Sequence, residues 1–156
     1  MPLQILTGDL LDQRADAIVN PWNRNFIPWF LLLPHGVSGA IKKRGGTKPF
    51  RELRKFGVLK LGQAVATGAG NLPFRAIIHV AGLNWTWTAS EFSIRESTKN
   101  ALQLAREMEL QSLAFPLIGA GTGGIQAEQS LDWMQDEIKR HGAGLQITIV
   151  RFGARS

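Results

Sequence analysis

Short apolar runs alternate along the chain with stretches of helical apolar spacing. The runs are rich in branched side chains and predict six strands, at 3–6, 17–20, 63–67, 76–81, 112–118 and 146–152. Helical spacing predicts helices at 36–41, from Ser90 or Glu91 to Met108, and at 127–140. Pro21 is expected to end the second strand, and Ser38 is a candidate N-cap of the first helix. Strands that alternate with helices indicate an α/β fold, a three-layer α/β/α domain with a mixed, mostly parallel central sheet.

Length and composition bound the class of protein. The 156 residues contain neither internal repeats nor a linker-like segment, so residues 1–156 are expected to form a single domain. A hydrophobic content of 44% and a charged content of 19% are typical of a globular chain. The absence of cysteine excludes disulfides, thiolate metal sites and cysteine nucleophiles, and no other cluster suggests a metal or a cofactor. The apolar stretch 26–33 is too short to span a bilayer, and no signal sequence is recognisable, so a cytoplasmic protein without membrane contact is expected.

Positive charge is concentrated in one segment. Eight Lys or Arg residues lie between Lys42 and Lys60 against a single acid, Glu52, and eight minus one gives a local charge of +7, compared with +6 for the whole chain. Such a segment attracts phosphates, and RNA or DNA contact through Lys42–Lys60 is one interpretation. A solvated surface without a partner is the other, and the sequence shows no pattern of base-stacking aromatic residues within the segment.

Glycines follow the fifth predicted strand. Gly119, Gly121, Gly123 and Gly124 lie within six residues and lead into a helix. Free backbone N–H groups beside a helix N-terminus form a phosphate site, although a tight strand-to-helix turn remains the alternative. Ligands of such sheets bind where loops leave the carboxyl ends of the strands, so 20–23, 36–38 and 119–124 are expected to converge on a dinucleotide-sized ligand. The glycines come too late in the chain, and without the required acid, for an NAD(P) dehydrogenase fingerprint.

Three segments together resemble the macro domain, the ADP-ribose-binding α/β module. They are Gly8-Asp-Leu with the strand 15–20, then Gly36-Val-Ser-Gly-Ala-Ile, then Ala114-Phe-Pro-Leu-Ile-Gly-Ala-Gly-Thr-Gly-Gly. The resemblance covers nearly the whole chain and implies a protein that binds ADP-ribose, either free or attached to protein or nucleic acid. The ligand contacts that it implies are Gly8, Asp9, Leu10, Asn20, Asn23, Gly36, Val37, Ser38, Ile118, Gly119, Ala120, Gly121, Thr122, Gly123, Gly124 and Phe152.

The resemblance also implies a role for each contact. Asp9 would accept a hydrogen bond from the adenine amino group, and Phe152 would stack on adenine. The loops at 35–38 and 119–124 would enclose the diphosphate, and Asn23 would lie near the distal ribose. Simpler interpretations remain open, namely a turn acid for Asp9, core packing for Phe152 and backbone capping for Asn20.

The chain departs from the family pattern where catalysis would occur. The usual Asn-Ala-Ala-Asn is Asn20-Pro-Trp-Asn23, which is expected to place an indole at the floor of the distal-ribose region. A proline-bracketed apolar insert occupies 24–35, and Ser38 replaces the Asp of the family's hydrolases. Since a serine hydroxyl is a poor base without a partner, whether the chain is an enzyme stays open. The alternative function is water-mediated removal of ADP-ribosyl or O-acyl groups, with Asn23, His35 and Ser38 as candidate catalytic residues.

The other two histidines have structural explanations. His79 lies in a predicted strand and is expected to be a hydrogen-bonded core residue. His141 ends a helix, where the helix dipole favours a cation. Only His35 is therefore expected to face a ligand.

Overall fold

A computed structural model describes residues 3–23, 36–83, 88–120 and 124–152. Its sheet has the strand order β1-β6-β5-β2-β4-β3, and every adjacent pair is parallel except β3 with β4. The strands are β1 Leu3–Gly8, β2 Ala17–Asn23, β3 Ala64–Thr67, β4 Ala76–Leu83, β5 Ser112–Pro116 and β6 Gln146–Phe152. The helices are α1 Gly36–Gly45, α2 Lys48–Arg54, α3 Glu91–Glu107 and α4 Ala127–His141, and a 3-10 turn occupies Leu10–Asp12.

Two apolar layers enclose the sheet. Alternate side chains of β2 enter opposite layers, with Val19 in one and Ile18 in the other. The first layer packs the sheet against α3 and α4, and the second packs it against α1 and α2. This arrangement confirms the predicted three-layer α/β/α fold with a mixed, mostly parallel sheet.

The long helix α3 begins where the sequence predicts. Ser90 is its N-cap, accepting from the backbone N–H of Ser93, whose hydroxyl in turn accepts from the N–H of Ser90. These reciprocal bonds satisfy N–H groups that the first turn of a helix leaves without partners. Of the predicted strands, 146–152 has the observed bounds.

Two expectations for β2 and α1 are wrong. β2 continues through Pro21 to Asn23, because its pairing with β5 ends at Ile18 and a residue without an N–H is accommodated where only β4 is paired. Ser38 is not an N-cap, since α1 begins at Gly36 and Ser38 lies inside its first turn.

The sequence did not predict α2 as a separate helix. It is seven residues long, and Pro49, Phe50 and Leu53 are buried on its inner side. A helix this short has little intrinsic stability, so tertiary packing of this apolar side holds it. Within the described ranges, no helix is both long and apolar enough to cross a membrane.

Candidate functional site

The sheet opens between β2 and β5. Their pairing consists of Ala17 with Leu113 and Ile18 with Ala114, and it does not continue toward the carboxyl ends. From β2 the chain proceeds through α1 and α2 to β3 on one side of the sheet, whereas from β5 it proceeds through α4 to β6 on the other. Loops that diverge in this way form a crevice at the carboxyl edge, where α/β sheets hold their ligands.

The β2 side of this crevice is fixed by Asn20. The side chain is completely buried, and its Oδ1 accepts a hydrogen bond of 2.9 Å from the Ser38 hydroxyl. This bond attaches the first turn of α1 to the carboxyl end of β2. Among the residues that the structure describes, both hydrogen-bond partners of the Asn20 side chain are side chains, so Asn20 caps no backbone group there.

A buried chain of hydrogen bonds extends from Asn20 across the sheet. Asn20 and His79 are register partners on β2 and β4, and Asn20 Nδ2 lies 2.9 Å from His79 Nδ1. Because an amide nitrogen only donates, Nδ1 accepts, and the remaining proton of a neutral imidazole lies on Nε2. That nitrogen is 2.8 Å from Thr67 Oγ1, whose hydroxyl donates to the carbonyl of Gly68.

His79 is therefore a neutral core residue, as its position in a strand predicts. Complete burial lowers its pKa to about 3, because removal of water disfavours the imidazolium form. Every hydrogen bond in the series Ser38, Asn20, His79, Thr67 and Gly68 is donated in the same direction, from Ser38 toward Gly68. The orientation of the Asn20 amide at the crevice therefore depends on the tautomer of His79.

The β5 side of the crevice is the start of the glycine segment. The carbonyl of Ile118 accepts from the buried Ser130 hydroxyl at 2.6 Å, which joins this segment to α4. Gly119 has a φ of +81°, a value that favours glycine, and its carbonyl accepts from the N–H of Ile125. A β-bridge between Ala120 and Ile125 therefore holds the two ends of this segment together. Gly121, Thr122 and Gly123 lie outside the described residues.

The β1 and β6 end of the edge brings together the residues assigned to adenine. Gly8 and Phe152 are register partners, and Leu10 is buried immediately after β1. Phe152 is 92% exposed, so the core-packing interpretation is wrong and an open aromatic face remains.

Each of the two carboxylate oxygens of Asp9 has a contact among the described residues. Its Oδ1 accepts from the N–H of Leu11 at 2.9 Å and caps the 3-10 turn, which confirms a turn role without excluding a ligand at Oδ2. Oδ2 lies 3.5 Å from Arg44, which also contacts Asp12 at 3.1 Å. No sequence pattern indicates Arg44 at this position, since 35 residues separate it from Asp9 and only the packing of α1 brings them together.

Trp22, which was expected at the floor of the distal-ribose region, lies in the core. It is 9% exposed, and its ring centroid lies 5.7 Å from that of Phe50 in the layer beneath α1 and α2. The bulky side chain of Trp22, which departs from the Asn-Ala-Ala-Asn pattern, is therefore accommodated in the core. The side chain of Asn23 and residue His35 lie outside the described residues, as does the insert 24–35.

A cavity of about 500 Å³ lies at the opposite edge, at the amino ends of β5 and β6. Residues of the proposed ligand contacts do not line it, so we assign it no part in the site. In the part of the chain that the structure describes, no group of three or more His, Asp or Glu side chains could hold a metal ion.

The strand order and the loops at the crevice define an α/β/α domain of the type that holds its ligand at the carboxyl edge of a mixed sheet. The model of the Macro domain family matches residues 19–134. The chain belongs to the macro domain family.

Individual relatives agree with this assignment. A macro domain-containing protein of Caldanaerobacter subterraneus is 34% identical over 156 residues, covering 96% of this chain and 86% of that protein. A protein of Escherichia fergusonii named O-acetyl-ADP-ribose deacetylase is 33% identical over 160 residues, covering 95% and 86%. The solved structure of an Oceanobacillus iheyensis macrodomain mutant with ADPR has a TM-score of 0.81 and 27% identity, covering 98% of this chain and 86% of that one.

Proposed function

We propose that the chain binds ADP-ribose, or an ADP-ribosylated molecule, at the carboxyl edge of the sheet. The observation that carries the proposal is the separation of β2 from β5 after Ile18 and Ala114, with Asn20 and Ser38 on one side and Ile118 and Gly119 on the other. Backbone N–H groups and small side chains at these positions would suit a diphosphate.

The length of the edge supports a ligand with two ends. β1 and β2 are three strand spacings apart in the sheet, which is about 14 Å at the usual spacing between strands. Adenine would lie beside Gly8, Asp9 and Phe152, and the distal ribose would lie toward Asn20. The ring of Phe152 is open to stacking, and Asp9 Oδ2 takes no part in the cap that Oδ1 provides, although Arg44 lies 3.5 Å from it.

Calorimetric titration with ADP-ribose, with AMP and NAD as comparators, tests the proposal. Asp9→Asn keeps an oxygen to cap the turn but replaces one acceptor by a donor, so binding should weaken roughly 10- to 100-fold if Asp9 accepts from adenine. Asp12→Asn is the matched control, since Asp12 also contacts Arg44 and has no role assigned to it at the ligand. Absence of heat at millimolar ADP-ribose contradicts the proposal, and equal affinity for AMP limits the site to its adenine half.

Hydrolysis is the second candidate function, supported by the name of the Escherichia fergusonii relative. A water held by Asn23 and the diphosphate would attack an O-acyl or ADP-ribosyl linkage, with His35 as candidate base. Ser38 is a weak candidate for that base, because its hydroxyl donates to Asn20 and has no basic partner among its observed contacts. Acetate release from O-acetyl-ADP-ribose, and ADP-ribose release from modified protein and nucleic acid, should exceed the blank and fall in Asn23→Ala; product equal to the blank in every case leaves binding alone.

A further inference from the structure

A cationic surface lies on α2 and the turn that follows it. We define the basic face as the exposed cations of α2 and this turn, Lys48, Arg51, Arg54, Lys55 and Lys60. The packing of α2 places them there: Phe50 and Leu53 are buried, and Lys48, Arg51 and Lys55 recur at helical spacing on the outer side.

The single acid of the segment does not neutralise this surface. Glu52 is turned toward β3, and its Oε1 accepts from the N–H of Gly68 at 3.1 Å. Among the described residues, no carboxylate lies within 4 Å of the charged groups of Lys48, Arg51 or Lys55. Lys48, Arg51 and Lys55 are consequently available to phosphates, in a segment for which the sequence alone also allowed a solvated surface without a partner.

An aromatic side chain lies among the cations. Phe56 is 50% exposed, and Val58 is 51% exposed, in the turn between Lys55 and Lys60. A phenyl ring open to water beside several cations is the combination that binds unpaired bases, with the ring stacking on a base and the cations contacting the backbone. A duplex offers the ring no free base face.

We propose that the basic face binds single-stranded nucleic acid, with Lys48, Arg51 and Lys55 on phosphates and Phe56 stacked on a base. The proposal does not depend on ADP-ribose binding. β3 is antiparallel to the other strands, so Gly68, at its end, and Glu52, which contacts it, lie at the edge opposite the crevice. Oligonucleotide and ADP-ribose should therefore bind at the same time.

Fluorescence anisotropy with labelled uridine and thymidine oligomers of about twelve nucleotides provides the test, since single-strand sites span about 4–16 nucleotides. Three phosphate contacts predict a slope of about −2 for the logarithm of the binding constant against the logarithm of salt concentration. Binding to either oligomer supports the proposal, and their relative affinity identifies RNA or DNA as the preferred strand. A duplex of the same length should bind more weakly.

Matched variants distinguish binding by the basic face from a general effect of the net charge of the protein. Arg51→Glu and Lys55→Glu should each weaken binding about fivefold or more and reduce the salt slope by about 0.7. Lys139→Glu changes the net charge equally from an exposed site on α4, on the other side of the sheet, and should have little effect. Phe56→Ala should weaken binding about fivefold or more, whereas Phe92→Ala, which removes a ring that is 58% exposed on α3, should not.

Four results would overturn the proposal. They are absence of binding at low salt, equal losses in Arg51→Glu and Lys139→Glu, an unchanged affinity in Phe56→Ala, and displacement of the oligomer by saturating ADP-ribose. The last result would place the oligomer in the crevice. All substituted side chains are exposed, and circular dichroism of each variant checks that the fold is retained.

Discussion

Replacement of His79 by glutamine should flatten the dependence of stability on pH. The unfolded chain titrates this imidazole near its ordinary pKa of 6.5, whereas the folded chain does so at about 3. Between these values the unfolded state binds more protons, so the free energy of unfolding decreases as the pH falls below 6.5. For one such group the decrease between about pH 7.5 and about pH 5 is roughly 2 kcal/mol.

The His79→Gln variant lacks this loss of stability at acidic pH. It is, however, less stable than the wild type near neutral pH. Its side chain can still donate to Thr67, while the Nδ2 donor of Asn20 loses its acceptor, at a cost of about 1–3 kcal/mol near neutral pH. The difference between wild type and His79→Gln should therefore be largest near neutral pH and should decrease by roughly 2 kcal/mol at about pH 5.

Urea unfolding at both pH values, followed by the fluorescence of the five tryptophans, measures this difference. His141→Gln is the control, because it removes the other histidine that the structure describes, from a partly exposed position at the end of α4. If wild type and His79→Gln lose stability in parallel as the pH falls, His79 is not held neutral by burial and the assigned tautomer is wrong.

Two further predictions concern stability. Gly119→Ala and Gly124→Ala both place alanine at a φ of +81°, which costs about 1–2 kcal/mol, but only at Gly119 would the new Cβ approach Ala89 Cβ to 2.6 Å. Thermal unfolding should therefore show the larger loss for Gly119→Ala, by an additional 1–3 kcal/mol or so, and equal losses would contradict the packing at Gly119. Ser90→Ala removes the cap of α3 and should lower the urea midpoint by an amount equivalent to about 1 kcal/mol, whereas Ser90→Thr should largely retain it; an unchanged midpoint in Ser90→Ala would refute the capping role.

The sequence by itself determined those structural features that depend only on residues adjacent along the chain. Strand β6 has the predicted bounds, because a run rich in branched apolar residues follows Gly144 and continues to Phe152. The start of α3 at Ser90 follows from a capping residue directly before a helical pattern, and the glycines after β5 mark a strand-to-helix loop in any context. These features, with the alternation of strands and helices, were sufficient for the fold class and the family.

Tertiary structure decided the features that depend on distant partners. α2 exists because Phe50 packs on Trp22, and β2 passes Pro21 because β5 has already separated from it. The hydrogen bond between Asn20 and His79 joins residues 59 apart in sequence. No periodicity or local propensity encodes such a pair, because it forms only when two strands align in register and burial leaves each polar group dependent on the other.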